Sequence, residues 1–540
     1  MPKRSVYAVV NVPPEIGAYA TVRFSRSPDS LRESIEWIYR QSAAAASGSA
    51  ENFLDTYYFQ YGHRSIADCG HVMLALEQWS QLMAEEVEDE PLWDGQEQST
   101  RYQDFSRPRF WKPHDWMDRE LMERYLETIH ELYAGYADLA EHMFRVFSAR
   151  TPKPPEMKQG DYERTLRARA FDVARYLLPM ATLTNVGQTT SIRVLERQIC
   201  RLLASRYPEI RLLAAQMTRA CKDPAYNVAR ERFLAITEPG RQAIEEAAAE
   251  GWLLPARDDS LIGHMLHCLA LNEQAVAEAL PEVAAAPTLA KYLEPDGYLE
   301  RTRARLTELA QELLPPMTID VPQRVDLVPP DDYLLETVTT ALYWVTSYSY
   351  RQIQQVVRDS LTEKQRQSVL TALFADRRKH DEHLRLFRGG YPLIFDTCVD
   401  IGADRDLKRH RRCIQIRQDL STVYGFEVPP VLADEACAEA SDRYTELCER
   451  AHRTCLEIAR VSPLDALYVL PLGTRRRRLY KMDPVEALYI AELRTGVGGH
   501  FSYRSAAYDM YRLFLTRYPY LQKFEDARVT HPSVEAPLKR

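Results

Sequence analysis

The sequence predicts a mixed α/β (α+β) chain that is mostly helical and is built from two similar halves. Three observations support this prediction: long stretches with apolar residues at three- and four-residue steps, a few short strand-like runs, and one order of elements that occurs twice. At 540 residues the chain exceeds the size of one ordinary hydrophobic core. Two or three domains are therefore expected.

Apolar residues at helical spacing predict the helices. Residues 117–148 keep this spacing over their whole length, and it returns at 164–179, 191–221 and 241–313. Residues 150–163 contain three prolines and a glycine, which predicts a loop between the first two helices.

Strand-like runs are fewer. SVYAVVNV, near the start of the chain, is short and rich in β-branched residues. YPLIFDTCVDIG, at 391–402, follows a Gly-Gly pair and predicts a strand that begins after a turn.

A proline-rich stretch divides the chain. Residues 313–332 contain five prolines and are typical of a domain boundary. ARYLLPMATLT (174–184) before it resembles ALYVLPLGTRR (466–476) after it, and each is followed by an arginine-bearing helix. This order predicts an internal duplication, with a first repeat at 1–221, a helical spacer at 222–320 and a second repeat at 321–540.

The composition indicates a globular protein, with 45% hydrophobic and 27% charged residues. No apolar run reaches the roughly 18 residues of a membrane span, and the first residues lack the apolar stretch of a signal peptide. Nine cysteines occur without a CxxC pair, which predicts a reducing, cytoplasmic environment. The net charge of −8 argues against general nucleic-acid binding.

QEQSTRY, at 96–102, places a carboxylate, a hydroxyl and a guanidinium at alternate positions: Glu97, Ser99 and Arg101. On an extended segment, all three would lie on one side. Such a set could hold a polar ligand that offers both hydrogen-bond donors and an anion. The alternative is a solvated loop with an internal pair between Glu97 and Arg101.

Three segments resemble motifs of the flavin-dependent thymidylate synthases: GHRSIAD at 62–68, QEQSTRY at 96–102 and ARYLLP at 174–179. The resemblance covers about 1–220 and, more weakly, about 325–540. It implies that each repeat is a curved antiparallel sheet flanked by helices. Members of this family are homotetramers, so a duplicated chain is expected to form a homodimer that acts as a pseudo-tetramer.

The resemblance also implies roles for individual residues in the first repeat. Five residues would bind the nucleotide dUMP: Glu97, Ser99, Arg101, Arg175 and Arg193. His63 and Ser25 would lie on the flavin side of the site. One departure is Ser191, which stands where the family has an asparagine two residues before the arginine at 193.

The first repeat departs from the family at its Arg-His-Arg triplet, which contacts flavin and nucleotide. Counting back from QEQSTRY, this triplet falls on Asp89, Glu90 and Pro91. A carboxylate beside a pyrophosphate reverses the interaction and would cost about 4 kcal/mol per close contact at an effective dielectric near 20. The first repeat alone is therefore not expected to bind FAD through this segment.

The second repeat supplies the missing triplet as Arg409, His410 and Arg411, and it places Arg494 on a family substrate arginine to which we assign the catalytic role. It lacks the nucleotide residues, since other side chains occupy their positions: Ile416, Arg417, Ser421 and Leu467. The two repeats therefore look complementary, and we expect one composite site made from both.

The leading hypothesis is therefore a tandem flavin-dependent thymidylate synthase with a divided signature motif. By resemblance, it would use FAD, NADPH and methylenetetrahydrofolate to methylate dUMP, or a related pyrimidine nucleotide, to dTMP. One alternative is a flavin- and nucleotide-binding protein that does not methylate. Another is a helical module that uses KRHRR (408–412) and Arg475–Arg478 on nucleic acid, and these last arginines are expected at the surface. His380 and His383 lack a third ligand, so no metal is expected.

Overall fold

A computed structural model gives the structure of the chain. It describes residues 7, 9, 11–40, 64–113, 119–232, 293–378, 381–522 and 528–539, together with scattered positions between 234 and 288. Half of the predicted strand SVYAVVNV falls outside these residues, as does most of the predicted helix at 241–313. None of the described helices combines the length and apolar character of a membrane span.

The chain divides into two compact units. The first comprises residues 1–74, 188–203 and 210–295, and the second comprises residues 75–187, 204–209 and 296–540. The first predicted repeat contributes to both units, and the second repeat lies entirely within the second unit.

The elements before the proline-rich stretch are α1 (Pro14–Arg26), α2 (Leu31–Arg40), β1 (His71–Ser80), α3 (Gln81–Val87), β2 (Asp94–Glu97), α4 (Arg119–Arg150), α5 (Gln159–Ala174), β3 (Leu183–Ser191), α6 (Ile192–Leu203), α7 (Pro208–Lys222) and α8 (Gly297–Leu313). Those that follow are β4 (Val325–Val328), α9 (Tyr333–Trp344), α10 (Tyr350–Asp359), α11 (Glu363–Phe374), β5 (Leu393–Asp400), α12 (Ile401–Leu407), β6 (Ile414–Arg417), α13 (Ala438–Ala459), β7 (Arg475–Met482), α14 (Pro484–Arg494) and α15 (Phe501–Arg517).

The two sheets share one strand order. The first sheet runs β1-β3-β2, and the second runs β4-β5-β7-β6. The antiparallel second sheet therefore repeats the arrangement of the first and adds β4 at its edge. The mixed helix and sheet architecture and its internal repeat were both predicted from the sequence.

Most predicted elements in the described ranges were located closely. The long helix at 117–148 is α4, and the strand within 391–402 is β5. The helix predicted at 191–221 is in fact two, because α7 starts anew at Pro208, whose fixed φ suits a first helical turn. The proline-rich stretch contains β4, which the sequence analysis missed.

Strand β5 is buried along its whole length because helices cover both faces of its sheet. Leu393 and Phe395 pack into a core with α14 and α15. Ile394, which points to the other face, packs into a core with α8 to α11. A strand covered on both sides needs apolar residues at consecutive positions, which explains its near-continuous hydrophobic sequence.

Two short helices fix the correspondence between the repeats. Helices α3 and α12 each have seven residues, and the strands β2 and β6 that follow each have four. Ser80 caps α3 by accepting from the backbone N–H of Met83, and Asp400 caps α12 by accepting from that of Ala403. Each residue from 80 to 97 therefore corresponds to the residue 320 positions later.

The two Leu-Pro motifs pair with each other. Pro179 and Pro471 form an antiparallel bridge. On one side of it, Met180 N–H donates to the Leu470 carbonyl at 2.8 Å, and on the other Leu472 N–H donates to the Leu178 carbonyl at 2.9 Å. This reciprocal pattern relates residues 174–191 to residues 466–483 by a shift of 292, and it joins the repeats about a local two-fold axis.

Candidate functional site

The structure gathers most of the predicted site residues in the second unit: Glu97, Ser99, Arg101, Arg175, Arg409, His410, Arg411 and Arg494. Ser25 and Arg193 belong to the first unit, and His63 lies outside the described residues. Within its unit, Arg193 pairs with Asp68 at 3.1 Å, while the exposed Ser25 hydroxyl donates to the carbonyl of Val22.

The segment around β2 lies against the Arg-His-Arg triplet of the second repeat. Arg409 Nη2 donates to Gln96 Oε1 at 3.2 Å. The guanidinium of Arg411 lies 4.8 Å from the centre of the Trp93 ring and 3.8 Å from the Asp94 carboxylate. Two segments more than 300 residues apart in the sequence thus meet in one place.

Glu97 forms a partly buried ion pair with Arg405, at 2.5 Å. Burial raises the pKa of the Glu97 carboxyl, and the nearby Arg405 cation only partly opposes this. Glu97 Oε1 is buried and has no hydrogen-bond partner among the described residues. Glu97 therefore keeps one oxygen available to a ligand, and Arg405 is a site residue that the sequence analysis missed.

Arg101 is held by an acidic partner, Asp172. Its Nε and Nη2 reach the two carboxylate oxygens at 2.8 and 3.3 Å. Its remaining bonds go to the Tyr503 hydroxyl and to the Gly498 carbonyl, both at 3.2 Å. Most of its N–H groups are therefore engaged, and the alternative pair between Arg101 and Glu97 does not form.

The predicted extended geometry of QEQSTRY is wrong beyond its second residue. Strand β2 ends at Glu97, and the chain then turns. Ser99 Oγ accepts from the backbone N–H of Arg101 at 3.2 Å, a local bond typical of serine in turns. Side chains 97, 99 and 101 do not line one side of a strand.

Arg175 is almost fully buried, at 3% side-chain exposure, and is weakly held. Its Nη1 lies 3.5 Å from Thr100 Oγ1, and its Nη2 lies 3.6 Å from the Asp406 carboxylate. The Nε and Nη2 atoms have no hydrogen-bond partner in the described parts of the chain. A buried guanidinium with open donors is the group that a phosphate would complete.

Arg101 and Arg175 lie close enough to act on one imidazole, that of His500. Burial lowers the pKa of His500, and the positive charges of Arg175 and Arg101 lower it further, to well below its ordinary value. His500 is therefore neutral and adds no charge to this cationic corner.

His410 is buried and connects two charged side chains. Its Nε2 accepts from Arg494 Nε at 2.8 Å, and its Nδ1 lies 3.3 Å from the Glu486 carboxylate. Burial lowers the pKa of His410, and the nearby Arg494 cation lowers it further. The neutral ring can thus accept on one nitrogen and donate from the other. Arg494 also lies 5.5 Å from the ring of Tyr503, which contacts Arg101.

The surface position predicted for Arg475–Arg478 is wrong for three of these residues. They lie in β7, and residues 476 to 478 are 2–3% exposed. Each reaches a carboxylate from another element: Arg476 bonds Glu85 at 2.6 Å, Arg477 bonds Asp396 at 2.9 Å and Arg478 bonds Asp404 at 2.6 Å. They are structural ion pairs and are not available to nucleic acid.

The buried polar atoms at this site fit an anionic nucleotide. In the described structure, two buried acceptors of the site lack hydrogen-bond partners, Glu97 Oε1 and Glu486 Oε2. Three buried donors lack them as well: Arg175 Nε, Arg175 Nη2 and Arg405 Nη1. Orphaned buried polar atoms are costly unless a ligand or water completes them. A ligand with a phosphate and an imide N–H offers the complementary groups.

Comparisons with known proteins identify the family of the chain. The model of the family described as "Thymidylate synthase complementing protein" matches residues 11–225 and 336–520. A UPF0159 protein of Chlamydia muridarum is 26% identical over 86% of this chain and 78% of its own length. A UPF0159 protein of Chlamydia pneumoniae is 26% identical over 94% of this chain and 88% of its own length. One of Thermoplasma acidophilum is 22% identical over 92% of this chain and 92% of its own length.

Among solved structures, the flavin-dependent thymidylate synthase ThyX of Helicobacter pylori, complexed with FAD and dUMP, aligns with a TM-score of 0.26. The alignment has 12% identity and covers 38% of this chain and 89% of that one. The family assignment rests on the matched segments, which together exceed half of the chain and fall in both repeats. The chain belongs to the thymidylate synthase complementing proteins, the flavin-dependent thymidylate synthase family.

Proposed function

We propose that the composite site binds FAD and dUMP, and that the protein methylates dUMP to dTMP with methylenetetrahydrofolate as one-carbon donor and NADPH as reductant. The observation that carries this proposal is the contact between the nucleotide segment of one repeat and the Arg-His-Arg triplet of the other, through Arg409 and Gln96. Family membership supports the same reaction.

Four residues of the first repeat would hold the nucleotide. Arg175 would bind the phosphate through its open Nε and Nη2. Glu97 Oε1 would accept from the imide N–H of the pyrimidine, and the raised pKa of this carboxyl lets it exchange a proton more readily than an exposed glutamate. Ser99 would add a hydroxyl. Arg193, by resemblance, would complete the set.

Residues of the second repeat would hold the flavin. Arg409 and Arg411 offer cations to a pyrophosphate, and His410 orients Arg494 toward Tyr503. By resemblance, Ser25 and His63 would contact the flavin as well. When bound, FAD would supply the electron-transfer chemistry, while the protein binds, orients and neutralises charge. We also propose that the protein is a homodimer and is located in the cytoplasm.

The visible absorption spectrum of the purified protein, with FAD added and then dUMP, tests this proposal. We expect a bound flavin whose spectrum shifts on addition of dUMP. Replacing both Arg409 and Arg411 with alanine should abolish flavin retention. Arg412→Ala is the matched control, because this neighbouring side chain is 75% exposed. A protein that binds no FAD at any concentration would refute the proposal.

A second candidate is a flavin- and nucleotide-binding protein that does not methylate. The close pairing of Arg101 with Asp172 favours it, because an anionic ligand must compete with this carboxylate. Arg101→Ala separates the two functions. It should abolish dTMP formation if the protein methylates, whereas no dTMP forms in either protein under the second candidate.

A further inference from the structure

Because the residues of the two repeats correspond, the chain contains a second place equivalent to the site. At this place the second repeat supplies the positions of the nucleotide segment and the first repeat supplies those of the triplet. We call it the reciprocal position. There, Arg417, Asp419 and Ser421 of the second repeat take the places of Glu97, Ser99 and Arg101. Residues 89–91 of the first repeat take the places of the Arg-His-Arg triplet. A two-repeat chain could therefore contain two sites, and the reciprocal position can be compared with the first site atom by atom.

Acidic residues neutralise the cations at the reciprocal position. Arg417 pairs with Glu86 at 2.5 Å and lies 3.7 Å from Asp89. Burial alone would lower the pKa of Arg417, but the Glu86 and Asp89 carboxylates more than reverse this and raise it. Arg385 donates to both the side chain and the backbone carbonyl of Asp89, each at 2.8 Å.

The counterpart of Ser99 is also committed to ion pairs. Asp419 bonds Arg206 at 2.8 Å and Arg303 at 2.7 Å. Burial would raise the pKa of Asp419, yet the Arg303 and Arg206 cations hold it below its ordinary value. This carboxylate therefore stays ionised and fully engaged.

Hydrogen-bond satisfaction separates the two positions. Among the described residues, buried atoms without partners occur at the first site, on Glu97, Arg175 and Arg405. None occurs on Arg385, Arg417, Asp89 or Asp419. The cleft at the reciprocal position has a volume of about 90 Å³, and acidic and basic side chains line it together: Glu85, Glu88, Asp89 and Glu90 with Arg385, Arg388, Lys408, Arg411, Arg412, Arg417 and Arg478.

We infer that each chain has one flavin–nucleotide site, and that the reciprocal position is an ion-pair network that joins the repeats and holds no ligand. This inference rests on the proposed function for its ligands. The saturated network rules out a nucleotide at the reciprocal position unless its internal pairs are broken, whereas the first site offers open donors and an open acceptor.

Equilibrium titration of the full chain with FAD and then dUMP gives the first test. We expect one of each per chain. Arg409→Ala should abolish FAD binding, whereas Arg385→Ala, which removes the partner of the Asp89 side chain at the corresponding place, should leave the stoichiometry at one. Two FAD molecules per chain, or a loss of binding in Arg385→Ala, would overturn the inference.

A urea-unfolding cycle with Arg385→Ala, Asp89→Ala and the double variant gives the second test and needs no ligand. We expect the midpoint shift of the double variant to be clearly smaller than the sum of the single shifts, because the pair is already lost in either single variant. Additive shifts would overturn the network. If the shifts are non-additive but no FAD binds, the network stands and the proposed function fails.

Discussion

Strands β3 and β7 occupy the same place in their sheets but differ in charge. Both follow a Leu-Pro motif, and both lie between the other two strands of their repeat. β3 (LTNVGQTTS) has no charged residue, whereas five of the eight residues of β7 are Arg or Lys. The same backbone arrangement therefore tolerates a neutral strand or a highly basic one.

One buried cation of β7 and its carboxylate partner are both absent from the first repeat. Arg478 and Asp404 correspond to Val186 and Ala84, which are also buried. One repeat thus has a salt bridge where the other has two apolar side chains. A buried ion pair is tolerated when both partners are present, and an apolar pair of similar fit is often equally stable. At this place in the core, one repeat therefore has both charges and the other repeat has neither.

The local two-fold axis shows the same principle. Glu88 and Lys408 correspond to each other, and they meet at 3.0 Å. In an assembly of two identical repeats, a residue at this place would meet its own copy, and two like charges would repel. Joining the repeats in one chain allows one copy to become acidic and the other basic, so the contact becomes attractive.

The largest effect is expected from separating a buried pair. Asp404→Ala should lower the free energy of unfolding by about 3–5 kcal/mol, because it leaves Arg478 buried without its main partner. Adding Arg478→Val, which restores the residue types of the first repeat, should recover more than half of that loss. Urea denaturation measures both. If the double variant is less stable than the single one, the two repeats do not share an interchangeable core.

Features of the fold that depend on neighbouring residues could be predicted from the sequence, whereas those that depend on residues far apart in the sequence could not. Helical spacing located α4, the continuous apolar run located β5, and the repeated Leu-Pro motif revealed the duplication. Strand β7 was missed, because four consecutive arginines look like a solvated face. Their partners Glu85 and Asp404 lie 391 and 74 residues away in the sequence, so no local pattern shows the pairing.

The site was predictable to a similar extent. The resemblance identified Glu97, Arg175 and the Arg-His-Arg triplet, and the structure brings these into one unit. It did not identify Asp172 or Arg405, because a charge partner is defined by distance in the fold and not by the motif. The turn after Glu97 was missed for a local reason, since Ser99 bonds the backbone and ends the strand.

The next prediction concerns the charge of Glu88 at the local two-fold axis between the two repeats. Glu88→Lys would place two ammonium groups together and cost as much as about 4 kcal/mol at an effective dielectric near 20. Glu88→Gln, which removes the attraction without adding repulsion, should cost clearly less. The free energies of unfolding of both variants, measured in low and high salt, check this. Equal losses would mean that the contact of residue 88 with Lys408 does not matter for stability.

A smaller, pH-dependent effect is expected at the helix caps, where Asp400 corresponds to Ser80. Burial raises the pKa of Asp400 to about 6, and its ordinary value is 3.8. Between these values the folded protein holds a proton that the unfolded chain releases, so this group destabilises the fold as pH rises from about 4 to about 6. The loss is at most about 3 kcal/mol.

Asp400→Asn should remove this loss while keeping the cap on Ala403 N–H, since asparagine also caps helices. The stability of the variant relative to the original protein should therefore increase from pH 4 to pH 6. Taking the difference cancels the titration of groups common to both proteins. A difference that stays constant over this range would show that Asp400 is already ionised at pH 4.

The smallest effect on stability, and the most specific effect on binding, is expected at Gly402. Its counterpart in the first repeat is Leu82, which is buried. A Cβ at position 402 would lie 3.3 Å from Arg175 Nη2 and 3.1 Å from Asp400 Oδ1, so the glycine makes room for the buried guanidinium. Gly402→Ala should change the free energy of unfolding by less than about 1 kcal/mol, because the crowding is offset by the better helix propensity of alanine.

The same substitution should weaken dUMP binding by about tenfold, because Arg175 must move to accommodate the methyl group. Gly160→Ala in α5 is the matched control: no atom lies within 4 Å of its added Cβ, so binding should not change. Calorimetric titration with dUMP measures both. Unchanged affinity in Gly402→Ala would place the phosphate away from Arg175, and the difference between Gly402 and Leu82 would then reflect packing alone.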